Sequence, residues 1–164
     1  MTGLLGVDLG EKRIGIAVAD DATAAARPLV TLRRGRDVEA DAAALRPLIT
    51  AHEVAELVVG LPLEAAGQEG SQAALTRAWI EAILPILSVR VTLRDERLTS
   101  HLAETRLGPM KRGRSGGPPT KTQRDAYRAR VDREAAAIIL QDELDTRAGR
   151  RASMTRTPDP QETS

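Results

Sequence analysis

Three acidic residues stand where an unpaired acid would be costly. Asp8 interrupts the apolar run of "LLGVDLGEKRIGIAVAD" (4–20), and Gly6 and Gly10 on either side of it leave room for something to approach the backbone. Glu96 follows the strand-like "VRVTL" (89–93) by three residues. Asp132 lies in "VDREAAAIIL" (131–140). The helix positions three, four, seven and eight further on are Ala135, Ala136, Ile139 and Leu140, so Asp132 shares an apolar stripe.

A buried carboxylate must be ion-paired, hydrogen-bonded or bound to a metal. For any one of the three acids, an arginine such as Arg13, Arg97 or Arg128, or a set of backbone amides, would serve as well as a cation. Three acids converging on one sheet end repel one another and hold a divalent cation well. All-oxygen ligation points to Mg²⁺ or Mn²⁺. The chain has no cysteine and only two histidines, His52 and His101, which disfavours a thiolate or zinc centre. No convincing Ser, Cys or His nucleophile with its base is visible, and no Walker-type GxxxxGK[ST] is present.

The elements that must position these acids follow from periodicity. Leu4 to Leu9 is an apolar run, Gly10-Glu11-Lys12 supplies a turn, and Arg13 to Asp20 alternates Ile14, Ile16 and Val18 with small residues, which together predict a hairpin. Pro28 to Arg33 is a third strand. Asp37 can cap a helix presenting Val38, Ala42, Leu45 and Ile49, with Pro47 as a kink point. "ELVVGLP" (56–62) is a fourth strand, and Ser71 opens a helix with Leu75, Trp79, Ala82, Ile83 and Ile86 on one stripe. Val89 to Leu93 is the fifth strand, and Thr99 or Ser100 caps the next helix. The Gly- and Pro-rich "GPMKRGRSGGPPT" predicts a mobile basic loop over 108–122, and a last helix covers Gln123 to Leu144. From residue 145 the polar sequence lacks apolar periodicity and predicts a disordered tail to 164. The order is three antiparallel strands followed by alternating strands and helices. It predicts an α/β domain over 1–144, a mixed five-stranded sheet flanked by helices with ligands at the strands' carboxyl ends.

Size and charge narrow the function classes. The 164 residues, 41% hydrophobic and 29% charged, suit one domain with a real core. The sequence shows neither a signal peptide nor a membrane span, so a cytoplasmic location without membrane partners is expected. The net charge of +1 is unevenly spread. Lys111, Arg112, Arg114, Lys121, Arg124, Arg128, Arg130 and Arg133 face only Asp125 and Asp132 in that stretch, a pattern suited to nucleic-acid phosphates. Lys12, Arg13 and Arg97 adjoin the acids and are candidates to touch substrate, Arg13 also to orient Asp8. With only Trp79, Tyr127 and no Phe, a base-stacking platform is excluded in favour of duplex backbone, junction shape or structured RNA.

Four motifs in order, "GVDLGEKRIGIAVAD" (6–20), "VVGLPLEAAGQEGSQA" (58–73), "DERLTS" (95–100) and "VDREAAAIIL" (131–140), resemble the YqgF family, also called RuvX. The resemblance implies a ribonuclease H-like fold. Members are described as Holliday junction resolvases or as nucleases that process the precursor of 16S ribosomal RNA. It also implies that Asp8, Glu96 and Asp132 are catalytic and ligate two Mg²⁺ or Mn²⁺ ions for phosphodiester hydrolysis. The expected partner is a four-way DNA junction or precursor rRNA, and symmetric junction cleavage would suit a homodimer. The Gly/Pro insertion ahead of Asp132 departs from the family's shorter basic segment and bears on substrate choice. The rival classes are a nucleic-acid-binding module without catalysis and, from the likeness of "GVDLG" to a phosphate motif of the sugar kinase, Hsp70 and actin group, an ATP-binding domain.

Overall fold

The computed structural model describes residues 2–20, 22–96, 99–113 and 115–156. Among them five strands form one sheet in the order β3-β2-β1-β4-β5. Strands β1 (Gly3–Leu9), β2 (Arg13–Asp20) and β3 (Arg27–Arg33) are antiparallel neighbours. Strands β4 (Val54–Pro62) and β5 (Arg90–Glu96) run parallel to β1. The parallel strands therefore end together, which brings the chain at Asp8 and at Glu96 to one edge.

Alternation along the strands divides the core into two layers. Leu5, Val7, Ile14, Ile16, Leu57 and Val59 point to one face, where Ala42 and Leu45 of α1 (Val38–Ala51) and Trp79 and Ile83 of α2 (Ser71–Leu87) cover them. Asp37 caps α1 by accepting a hydrogen bond from Ala40 N at 2.9 Å. Both helices run through their prolines, Pro47 and Pro85, each forgoing one backbone hydrogen bond. Leu75 departs from its predicted stripe and is exposed, because α2 turns Ala73, Thr76 and Ile80 inward instead.

The opposite face carries small residues and one long helix, α4 (Lys121–Met154). This helix crosses the sheet diagonally. Its Ala129 carbonyl accepts from Thr31 of β3 at 2.5 Å. A Cβ on Gly15 of β2 would collide with the carbonyl oxygen of Asp132, and one on Gly6 of β1 would lie 2.5 Å from that of Ala136. Further along, Ile139 packs on Gly60 of β4 and Glu143 meets Arg94 of β5 at 3.0 Å. The space expected beside Gly6 is thus taken by α4. Helix α3 (Thr99–Leu107) packs on α4 through Ala103 against Val131, Ala135 and Ile138.

Two boundaries differ from the sequence-based expectation. Strand β5 continues through Glu96, held by the Leu63 amide donating to the Glu96 carbonyl at 3.0 Å, so the acid closes the strand and does not follow it. The expected tail from residue 145 is helical as far as Met154. Its polar residues have distant partners: Arg147 donates to both carboxylate oxygens of Glu56, at 2.6 and 3.1 Å, and Thr146 Oγ1 accepts from Arg94.

Candidate active site

Asp8 and Glu96 line one pocket of about 190 Å³ at the carboxyl ends of β1, β4 and β5, together with Gly60, Pro62, Leu63, Thr99 and Ile139. Asp8 arrives there by strand alternation: Val7 fills the α1–α2 core, so the next side chain faces α4. Glu96, in register with Pro62, arrives from the end of β5. Gly60 lets Ile139 seat against β4 beside Glu96, since a Cβ there would lie 2.5 Å from Ile139 Cδ1 and 3.5 Å from Glu96 Cγ.

The electrostatics are those of an over-supplied anion site. The Asp8 carboxyl is pushed up to about 7, first by burial, then by the negative charges of Asp132 and Glu96. Glu96 is also raised, again mainly by burial, with the Thr99 hydrogen bond acting in the opposite direction. Thr99 Oγ1 donates to Glu96 Oε2 at 2.6 Å, which makes Thr99 a partner of the acid as well as the first residue of α3. The other oxygen, Glu96 Oε1, is buried with no hydrogen-bond partner among the described residues; it forms a long ion pair of 3.6 Å with Arg94 Nε, which also makes no hydrogen bond.

Asp132 stands apart. Its Oδ2 accepts from Arg13 Nε at 2.5 Å, so Arg13 binds Asp132 and not Asp8. Among the described residues, no three carboxylates or imidazoles are gathered tightly enough to enclose one ion as the side chains stand. The donor set fits a hard divalent cation through two groups: the orphaned Glu96 Oε1 and the crowded, charge-repelled Asp8 both gain from a positive neighbour.

The predicted phosphate contacts separate into three groups. Lys12, Arg13, Lys121, Arg124 and Arg128 share a groove of about 840 Å³ between β3 and the start of α4. The capping box between Thr120 and Gln123 fixes that helix start, the two residues exchanging hydrogen bonds of 2.8 and 3.2 Å. Lys111 and Arg112 are exposed on the preceding loop and line neither cavity. Arg97 and Arg114 lie outside the described residues. The groove also includes Arg33 and Arg34, which sequence reading passed over. Their signal was the "LRRGR" run at the end of β3. Trp79 is buried, donating to Asp41 at 3.0 Å, and the Tyr127 hydroxyl donates to the Gly108 carbonyl, so neither ring forms a platform.

Comparison with known proteins agrees with this arrangement. A family model described as RuvX, Holliday junction resolvase, matches residues 2–146. A protein of Anaeromyxobacter dehalogenans strain 2CP-1 is 45% identical over 144 residues, 88% of this chain and 97% of the relative. One of Chloroflexus aggregans is 38% identical over 144 residues, 88% of this chain and 94% of the relative. Both bear the name pre-16S rRNA nuclease as a provisional assignment. T. thermophilus RuvC, solved in complex with a Holliday junction substrate, matches with a TM-score of 0.51 at 14% identity, over 91% of this chain and 97% of that one. That likeness is one of fold, and the ribonuclease H-like architecture expected from the motifs is the one observed. By the reach of the family model and the identity of these relatives, the chain belongs to the RuvX family.

Proposed function

We propose that the chain is an endonuclease that hydrolyses phosphodiester bonds in structured nucleic acid with a divalent cation, Mg²⁺ or Mn²⁺. The observation that carries this reading is the shared pocket of Asp8 and Glu96, in which Glu96 Oε1 is buried without a hydrogen bond. The bound cation would activate water and stabilise the charge on the leaving oxygen. Asp8 and Glu96 would hold it, with Thr99 fixing the Glu96 carboxylate through its Oε2. Asp132, the third acid of the motif set, would be the ligand for a second ion, with Arg13 holding it toward β2. Lys12, Arg13, Lys121, Arg124 and Arg128 contact substrate phosphates in this reading, with Arg97, Lys111, Arg112 and Arg114 as further contacts from neighbouring segments.

The precursor of 16S rRNA is the substrate that the names of the relatives support, and a four-way DNA junction is the alternative. A two-fold dimer belongs to the junction alternative, since two cuts need two pockets. Among the described residues no helix is long and apolar enough to cross a membrane, and a cytoplasmic site of action is part of the proposal.

Cleavage of precursor 16S rRNA, a four-way junction and linear duplex, each with Mg²⁺ or Mn²⁺, tests the reading when wild type is compared with Asp8→Asn. Asp8-dependent cuts in the RNA alone support rRNA maturation. Paired Asp8-dependent cuts in the junction alone support resolution. Equal rates for the two proteins would reject the site.

A further inference from the structure

The β2–β3 pairing sets Arg13 directly opposite Arg33. Like charges facing each other across antiparallel strands destabilise a sheet. Both side chains point to the α4 face, since Thr31, two residues before Arg33, bonds to α4 and Gly15, two after Arg13, is covered by it. Arg13 is neutralised by Asp132, whereas the Arg33 side chain is exposed with no hydrogen bond or ion pair among the described residues. Exposed Lys12 on the adjoining turn and exposed Arg128 across the groove also have no side-chain hydrogen bond or ion pair. Although Glu11 and Asp125 also line the groove and Asp125 pairs with Lys121, the groove carries an excess of positive charge.

We propose that this groove between β3 and the start of α4 is the track of one sugar–phosphate strand, with Arg33, Lys12 and Arg128 as its phosphate contacts. The inference rests on the nuclease reading and adds the path taken by the nucleic acid. Three features favour a phosphate strand as occupant. The charge is complementary to a polyanion. No Trp, Tyr or Phe lines the groove, so contact is to backbone and not to stacked bases. The groove also begins at Arg13, whose partner Asp132 is the third acid of the motif set, so a strand seated at Asp8 continues past Arg13 into it. Arg33 carries the discriminating weight because its side chain has no hydrogen bond or ion pair among the described residues.

Binding of a labelled precursor 16S rRNA fragment and of a four-way DNA junction, measured with the full chain in EDTA over a range of salt, tests the track. Arg33→Gln is expected to weaken binding about 3- to 10-fold at low salt and to lower the slope of log K against log[salt] by about 1. Arg33→Gln/Arg128→Gln lowers the slope by about 2, and Arg33→Lys restores the wild-type slope. RNA and DNA lose affinity by the same factor if phosphate is the ligand. Neutral methylphosphonate linkages on one flank of the scissile bond weaken wild type more than Arg33→Gln, which has one phosphate contact fewer to lose. Wild-type affinity and slope in the double variant would overturn the track. Cleavage retained in that case leaves the nuclease reading standing, whereas Arg33-dependent binding by a wild type that cuts nothing would sink the nuclease reading and keep the track.

Discussion

The carbonyl of Asp132 sits directly over Gly15, the residue paired in register with Asp8. A side chain on Gly15 would collide with the α4 backbone, so glycine there sets the distance between the helix and the sheet edge that carries Asp8. Asp8 feels the negative charge of Asp132, the first of the two carboxylates that raise it.

Gly15→Ala should lift α4 from β2. Because the obstacle is backbone, the cost is expected near the upper end of the 1–3 kcal/mol usual for overpacking, about 3 kcal/mol. Chemical denaturation would show a lowered midpoint, with cleavage lost together with the charge coupling between Asp132 and Asp8. A wild-type midpoint would mean that the helix does not seat on Gly15.

Asp8 makes stability depend on pH in an unusual direction. Its folded-state value of about 7 exceeds the ordinary 3.8, so the folded chain binds the proton more tightly than the unfolded one. Its favourable contribution is present below about pH 4 and is lost as pH rises to about 7. In EDTA, Asp8→Asn should therefore exceed wild type in stability at pH 8, by at most about 4 kcal/mol, and the difference should shrink on acidification. Thermal melts of the two proteins at pH 4.5 and pH 8 check this.

Cation binding must displace the same proton. Mn²⁺ affinity should rise with pH up to about 7 and then level off, and binding at pH 6 should release a proton. Calorimetry in two buffers of different ionisation enthalpy measures that release; identical heats in both would place the cation away from Asp8.

Thr99, at the pocket wall, orients Glu96 by donating to its Oε2. Thr99→Val should reduce cleavage about 10-fold with the fold intact, and Thr99→Ser, which keeps the hydroxyl, should recover most of it. Equal rates for the valine and serine variants would remove the hydrogen bond from the mechanism.

The hairpin and the acids are legible in the sequence because their causes are local. Alternating Ile14, Ile16 and Val18 fix the strand face, and an acid inside "LLGVDLG" announces its own cost. Glu96 as the last residue of β5 is less legible, since it depends on a backbone bond from Leu63, the residue after β4, which is distant in sequence. The length of α4 depends on Arg147 reaching Glu56 and Arg94 reaching Glu143, pairs separated by 91 and 49 residues, which no local pattern displays. The "LRRGR" run marks Arg33 as basic, but its place opposite Arg13 follows only from the strand register. The basic segment was read as one surface, yet the structure draws the groove from three elements and leaves Lys111 and Arg112 outside it.

Mn²⁺ titration calorimetry at pH 8 on wild type, Asp8→Asn and Glu96→Gln tests the shared site most directly. Saturable binding by wild type, weakened at least about 10-fold in each variant while both remain folded, is the expected result, because each substitution removes one of the two carboxylates lining the pocket. Wild-type affinity in both variants would contradict a divalent-cation site built on Asp8 and Glu96.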